Sequence, residues 1–210
     1  MPNPSSACVL CDGLLAGRSS GQWDSVLAET PDYVVVPTKG ALLAGWLLVV
    51  SKQHALCSGA LKTDLQQVAR AGAVDLAKSM IESRFGPTTA FEHGPHIGAT
   101  SLGCGVDHLH IHVAPLSFSL QSAVERLYPG TDWHQLNDWN DLSPIHANKS
   151  PYMAVQEPNG ALKWSLPPAG VRQPLRRAIA ASVGLFDEFD YSAHPQTENV
   201  ASTITLLVGA

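Results

Sequence analysis

At 210 residues the chain has the length for one domain with elaborations, or one domain and a small lobe. Hydrophobic residues make up 45% and charged residues only 15%, enough for a sizeable core, and the formal net charge of -5 excludes a broad basic face of the kind that grips a nucleic-acid backbone. One small anionic substrate remains compatible with that charge, because a few local donors suffice for a phosphate.

The first residues lack a basic segment followed by an apolar core, so no secretory signal is expected. The longest apolar run, residues 41–50, falls short of the ~20 residues that cross a bilayer, and a cytoplasmic protein is the expectation. Residues 1–20 are rich in Pro, Ser and Gly and predict an irregular arm around Cys8-Val-Leu-Cys11. With no export signal, that spacing points to metal before disulfide. Residues 22–29 and 33–37 predict two strands about the turn signal Thr30-Pro-Asp32, and residues 46–51 a third.

Residues 60–85 predict one long helix, with Leu61, Leu65, Val68, Leu76 and Met80 at helical spacing and Val74, Ala77 and Ile81 widening the stripe. Gly86-Pro87 stops it. Residues 88–92 predict a strand that enters a glycine-rich loop over 94–105, followed by a strand over 107–114. Beyond these come a helix over 120–128, a loop over 138–150 and a hairpin, 152–156 with 161–164, about Glu157-Pro-Asn-Gly160. A linker over 166–170 then leads to helices over 175–183 and 197–207. Strands dominate the middle and helices alternate irregularly with them, so the fold class is α+β.

The strand over 107–114 carries His108, His110 and His112. Alternate strand residues share a face, so the three imidazoles point one way and Leu109, Ile111 and Val113 the other, into a core. Two chemistries are open to such a row. Neutral imidazoles bind zinc or iron, but same-face residues lie roughly 7 Å apart along a strand and three rarely converge on one ion. A cupin-type site would also want a carboxylate a few residues on, and the next acid is Glu125. The other chemistry is nucleophilic attack on phosphorus, with neighbouring imidazoles holding phosphate oxygens. Gly103-Cys104-Gly105 favours it, since backbone N–H groups exposed at glycines cradle anions.

The run His108-Leu-His110-Ile-His112-Val-Ala-Pro115 resembles the signature of the histidine-triad superfamily. Three further segments agree in order: Cys8-x-x-Cys11 with the zinc pair of zinc-bearing members, Gly45-Trp-Leu-Leu-Val-Val-Ser-Lys-Gln-His54 with their Gly-His-Leu-Val-Pro-Lys-x-His segment, and Phe91-Glu92-His93-Gly94 with the strand end before the triad. The resemblance spans about residues 8–116. It implies a histidine-triad-like fold, an antiparallel sheet with one long helix, over 1–116 with an amino-terminal zinc arm, and a carboxy-terminal α/β extension or small lobe over 117–210. It also implies that His110 is the nucleophile, giving a nucleotidyl-histidine intermediate, and that His112 contacts the phosphate and helps protonate the leaving group. Cys8, Cys11, His54 and His108 become ligands of a structural zinc, with no catalytic metal required. Gly103, Gly105 and Glu92 fall at substrate-binding positions.

The chain departs from the family before the triad. Hydrolytic members carry Gly-Gln-Ser/Thr-Val-x-His, where this chain has Gly103-Cys-Gly-Val-Asp-His108. His93 and His96 stand in the approach to the triad as further pocket candidates, Cys57 and Cys104 read as packing residues, and Arg176 and Arg177 in the extension are candidate phosphate or carboxylate clamps. The expected function is a nucleotide hydrolase or nucleotidyltransferase acting at the α-phosphorus of a small-molecule nucleotide, with a homodimer compatible with the family. The missing Gln and Ser/Thr support an alternative: a non-catalytic nucleotide-binding or zinc-stabilised interaction protein of the same fold.

Overall fold

The computed structural model describes residues 8–96 and 106–209. In chain order the elements are α1 (Val9–Asp12), β1 (Ala28–Glu29), β2 (Tyr33–Pro37), β3 (Leu47–Ser51), α2 (Asp64–Phe85), β4 (Thr89–Gly94), β5 (His110–Ala114), α3 (Leu120–Leu127), β6 (His134–Leu136), α4 (Leu142–Ala147), β7 (Tyr152–Gln156), β8 (Leu162–Ser165), α5 (Pro174–Ser182) and α6 (Thr197–Val208). The strands form one sheet in the order β1-β2-β3-β5-β4-β7-β8-β6, with antiparallel pairing throughout. This is the expected α+β class. No helix of the described residues is long and apolar enough to cross a membrane.

β5, the histidine strand, lies inside the sheet between β3 and β4. Its pleat separates His110 and His112 from Ile111 and Val113 as expected, but the strand starts at His110, so His108, expected on the same strand face, precedes it. Ile111 and Val113 join Val49, Ala90 and the buried face of α2 in one core. On the other face, two bodies cover different halves of the sheet. The amino-terminal arm packs Leu10 and Leu14 on Val34, Val36 and Val50 of β2 and β3. The extension packs α3, α5 and α6 on Trp46, Phe91, Met153 and Val155. His110 and His112 lie on that same face, between the two covers.

Residues 117–210 are built into the sheet. β7 pairs with β4 over five residue pairs, from Ala90↔Gln156 to Gly94↔Tyr152, so the sheet runs across the 116/117 division.

Several elements differ from the sequence expectation for identifiable reasons. Residues 22–29 form a 3-10 turn, Gln22–Asp24, and only the two-residue β1, because the Asp24 carboxylate takes hydrogen bonds from the Ser20 N–H and O–H. The long helix starts at Asp64, where Thr63 and Gln66 form a reciprocal capping box. Its buried face is also rotated: Leu65 and Val68 are 82% and 69% exposed, while Gln67, Arg70, Ala73, Val74, Ala77 and Ile81 face the sheet. Polar burial at Gln67 and Arg70, which hydrogen-bond each other at 2.6 Å, hides this face from an apolar-periodicity reading. The segment expected as a loop over 138–150 contains a 3-10 turn, Trp139–Asp141, capped by the Asp138 carboxylate, and α4. β6 was not expected at all, since His134-Gln-Leu136 has no β signature of its own and exists by pairing with β8.

Cutting the chain after residue 116 removes β7, bares the outer edge of β4 and uncovers Trp46 and Phe91. The fragment is expected to be aggregated or loosely packed by size-exclusion chromatography and near-ultraviolet circular dichroism. A monomeric fragment with a cooperative unfolding transition would contradict this dependence.

Candidate active site and metal centre

Hydrogen bonds assign the protons of the two cleft imidazoles. His110 Nδ1 lies 2.6 Å from the His108 carbonyl oxygen. A carbonyl only accepts, so His110 Nδ1 carries the proton and Nε2 keeps its lone pair. At His112 the logic reverses. The Trp46 indole N–H donates to His112 Nδ1 at 3.1 Å, which puts the proton of a neutral ring on Nε2. That Nε2 is buried and has no hydrogen-bond partner among the described residues. Phe91, opposite His112 in the register, stacks on its ring at 4.7 Å and 11°. The two imidazoles stand 5.2 Å apart, one offering a lone pair and the other an N–H.

Both rings are held neutral. Burial lowers the His110 pKa, against a smaller upward pull from the His108 carbonyl. His112 is pushed well below the usual imidazole value by burial and then by His110, Arg176 and His93. Neutrality matters because only an unprotonated nitrogen attacks phosphorus. His110 and His112 line a cleft whose walls include Val9, Leu10 and Leu14 from the arm, Leu48 from β3, and Lys39 and Arg176.

His108 precedes β5 and does not line this cleft. Its Nε2–H donates to the Ser51 carbonyl at 2.6 Å, leaving Nδ1 as a free donor atom for a metal. That Nδ1 lies 3.3 Å from Cys8 Sγ and 3.4 Å from Cys11 Sγ, and Cys11 Sγ is 3.5 Å from His54 Nδ1. All four ligand atoms fall within 4.8 Å of one another. A tetrahedral ion with Zn–S and Zn–N bonds of ordinary length gives sulfur-to-nitrogen edges of roughly 3.6 Å, so the donor set fits and the cluster could hold a metal ion. α1 makes this possible: one helical turn starting at Cys8 brings Cys11 to the same side, with the Cys11 N–H pointing at Cys8 Sγ.

Glu92 requires a correction. It was expected against the substrate, yet β4 alternation puts Phe91 and His93 on the histidine side and Glu92 on the opposite face. There its carboxyl is fully buried, accepts from the Ser58 N–H at 2.7 Å and the Tyr152 O–H at 3.4 Å, and faces Arg70. Burial raises its pKa to about 7, against the opposing pull of the Ser58 hydrogen bonds, Arg70 and Tyr152. Gly103, Cys104 and Gly105 lie outside the described residues. His93 is half-buried beside the site, its pKa lowered to about 3 by desolvation, His110 and Arg176, with Nε2 accepting from the Leu175 N–H at 3.4 Å. Cys57 is a buried thiol, pushed up to about 12 by burial and then by Glu92, as suits a packing residue. Arg177 lies over the Phe189 ring, 3.6 Å from its centre.

Sequence reasoning missed two contributors. Trp46 sets the His112 tautomer, and its signal was present, because an aromatic N–H stands where the related segment carries a histidine. Lys39, after the end of β2, carries no local pattern that marks it.

Because the folded pKa of Glu92 lies above its unfolded value, its contribution to stability is fully present below about pH 4.5 and is lost as pH rises through about 7. Two to three pKa units correspond to roughly 3 kcal/mol. Glu92→Gln is expected to flatten the stability–pH profile between pH 5 and 7 in denaturant titrations and to leave ligand affinity unchanged. An unaltered profile, or lost affinity in a folded variant, would contradict the assignment.

No protein-family model and no curated protein matches the chain. Solved structures that it resembles include crystal structures of the yeast Ap4A phosphorylase Apa2. The likeness to one of them has a TM-score of 0.43 at 11% identity and covers 94% of this chain and 79% of that one. The form in complex with Ap4A gives a TM-score of 0.40 at 9% identity, covering 84% and 74%. The form in complex with AMP gives 0.43 at 11%, covering 91% and 79%.

Proposed function

We propose that the cleft is the nucleotide site of a histidine-triad enzyme, a hydrolase or transferase in which His110 carries a nucleotidyl group during turnover. The observation that carries this reading is the pair of opposite tautomers: a neutral His110 with its Nε2 lone pair unprotonated, beside a neutral His112 whose buried Nε2–H has no partner among the described residues. His110 Nε2 attacks the α-phosphorus, an N–P bond forms, and the P–O bond to the leaving group breaks with its electron pair going to oxygen. The His108 carbonyl then stabilises the positive charge that develops on the His110 ring. His112 donates its Nε2–H to a non-bridging phosphoryl oxygen, where negative charge grows in the transition state. In the second step water or an acceptor attacks the phosphorus and restores His110.

Cys8, Cys11, His54 and His108 are the ligands in this reading, and a zinc ion held there supplies structural cross-linking. These residues tie the arm and the end of β3 to the segment whose carbonyl orients His110.

His110→Ala is expected to lower kcat by at least ~1000-fold on any nucleotide that the wild type turns over, and mass spectrometry of quenched wild-type reactions is expected to find a nucleotidyl adduct on His110. Wild-type turnover in the variant refutes the covalent route. Nucleotide binding with no turnover or adduct across a substrate panel identifies the chain instead as a non-catalytic nucleotide-binding protein. Purified protein is expected to contain about one zinc per chain, and chelation should lower Tm by several degrees. Normally folded protein with far less than one equivalent of metal would remove the zinc site.

A further inference from the structure

The face of the sheet opposite the two cleft imidazoles is covered by α2. Between α2, the turn Trp139–Asp141 and the end of β7 lies a second groove, of about 390 Å³, which shares no described lining residue with the histidine cleft. Its floor is made by the buried Gln67, Arg70, Val74 and Trp139. α2 delivers three of these because positions 67, 70 and 74 recur at helical spacing on its sheet-facing side. The rim has a different character. Asp64, Asp75 and Asp138 are exposed there, and Asn137 and Asn140 add side-chain amides.

Arg70 is only 3% exposed. Its Nη1 donates to Gln67 Oε1 at 2.6 Å, and the guanidinium lies 5.6 Å from the centre of the Trp139 ring. Among the described residues that is the hydrogen bond it makes, and no carboxylate forms an ion pair with it. Several N–H groups of the guanidinium fork are thus left to the groove. Glu92 and Asp138 attract the charge from beyond ion-pair distance. The Glu92 carboxyl is turned to the Ser58 N–H and the Tyr152 O–H, and burial pushes its pKa up to about 7, so near neutral pH it supplies only part of a counter-charge. A buried cation of this kind is costly unless an anion reaches it.

The rim decides which anion fits. One cation at the floor and three carboxylates at the mouth repel a polyanion on entry, and a bare cation would meet the guanidinium. A ligand that carries both charges satisfies both levels. Its carbon chain finds Val68, Ala71 and Val74 on the α2 wall, and Val68 is otherwise an apolar side chain 69% exposed.

We propose that this groove is a separate binding site for a small zwitterion, one carboxylate and one ammonium joined by a short aliphatic chain, as in an amino acid. The carboxylate bonds to the Arg70 guanidinium, and the ammonium stands against Asp64, Asp75 and Asp138. Arginine and carboxylate match fork to fork, which fixes the orientation of the ligand as well as its charge. The site is independent of the nucleotide reading of the histidine cleft and stands or falls without it.

The test is calorimetry and thermal denaturation of the full-length protein at low salt. The probes are matched sets of equal chain length, an ω-amino acid with its carboxylic acid and its amine, together with the common L-α-amino acids and inorganic phosphate. At least one zwitterion is expected to bind about tenfold or more tighter than either single-charge match and to raise Tm. Asp75→Asn combined with Asp138→Asn changes exposed positions only, and the asparagine oxygen keeps the cap on the Asn140 N–H. This pair should reduce zwitterion affinity severalfold and leave that of the carboxylic acid unchanged. Arg70→Gln should abolish binding of both, and Arg70→Lys, which keeps the charge without the fork, should weaken it. No zwitterion binding in the millimolar range, or affinity untouched by the two rim substitutions, overturns the site even if the Arg70 variants fail to fold. Phosphate or the carboxylic acid binding as tightly as the best zwitterion overturns the ligand class.

Discussion

The 2.6 Å hydrogen bond from His110 Nδ1 to the carbonyl two residues earlier in its own chain organises the site. It leaves His110 Nε2 basic and aimed at the cleft, and it couples the ring to the segment around His108. That segment is itself tied down, because the His108 imidazole donates to the Ser51 carbonyl on β3 and faces the two cysteines of the arm. Distortion around His108 would let the His110 ring rotate and exchange its tautomer. The orientation of the His110 ring is thus a property of the strand entrance as much as of the strand.

The sheet supplies the second constraint. β5 is held on both edges by antiparallel neighbours, so its side chains have little freedom to shift register. Phe91 is delivered opposite His112 by that pairing, and Trp46, just ahead of β3, reaches the same ring from the other side. Together they bury His112, fix which nitrogen carries its proton and keep it uncharged. The extension closes the arrangement, since β7 seals β4 while α5 brings Arg176 over Trp46.

The histidine strand was legible because its alternation is a backbone property, and the apolar partners Ile111 and Val113 are buried as their spacing implies. The ligand set Cys8, Cys11, His54 and His108 was legible through resemblance, and its atoms do converge. Glu92 was misread for a reason of parity: proximity in sequence to the triad says nothing about the face of the neighbouring strand, and here one residue of alternation sends it through the sheet to Arg70 and Tyr152. The inward face of α2 was obscured by the same buried polar cluster, which needs Gln67 and Arg70 where a periodicity reading wants leucine. Lys39 could not be found from local pattern, because its position depends on a contact with residues more than 130 positions away.

The two covers on the histidine face are separate stretches of chain. α1 and the turn after it form one wall, and α5 with the segment around Tyr191 forms the other, while both imidazoles belong to neither. Sequence change in either wall can therefore alter what fits without moving the strand that carries the two imidazoles. Substitutions confined to a wall would thus reshape the space above the two imidazoles while the backbone carbonyl and the indole that fix their protons stay where they are.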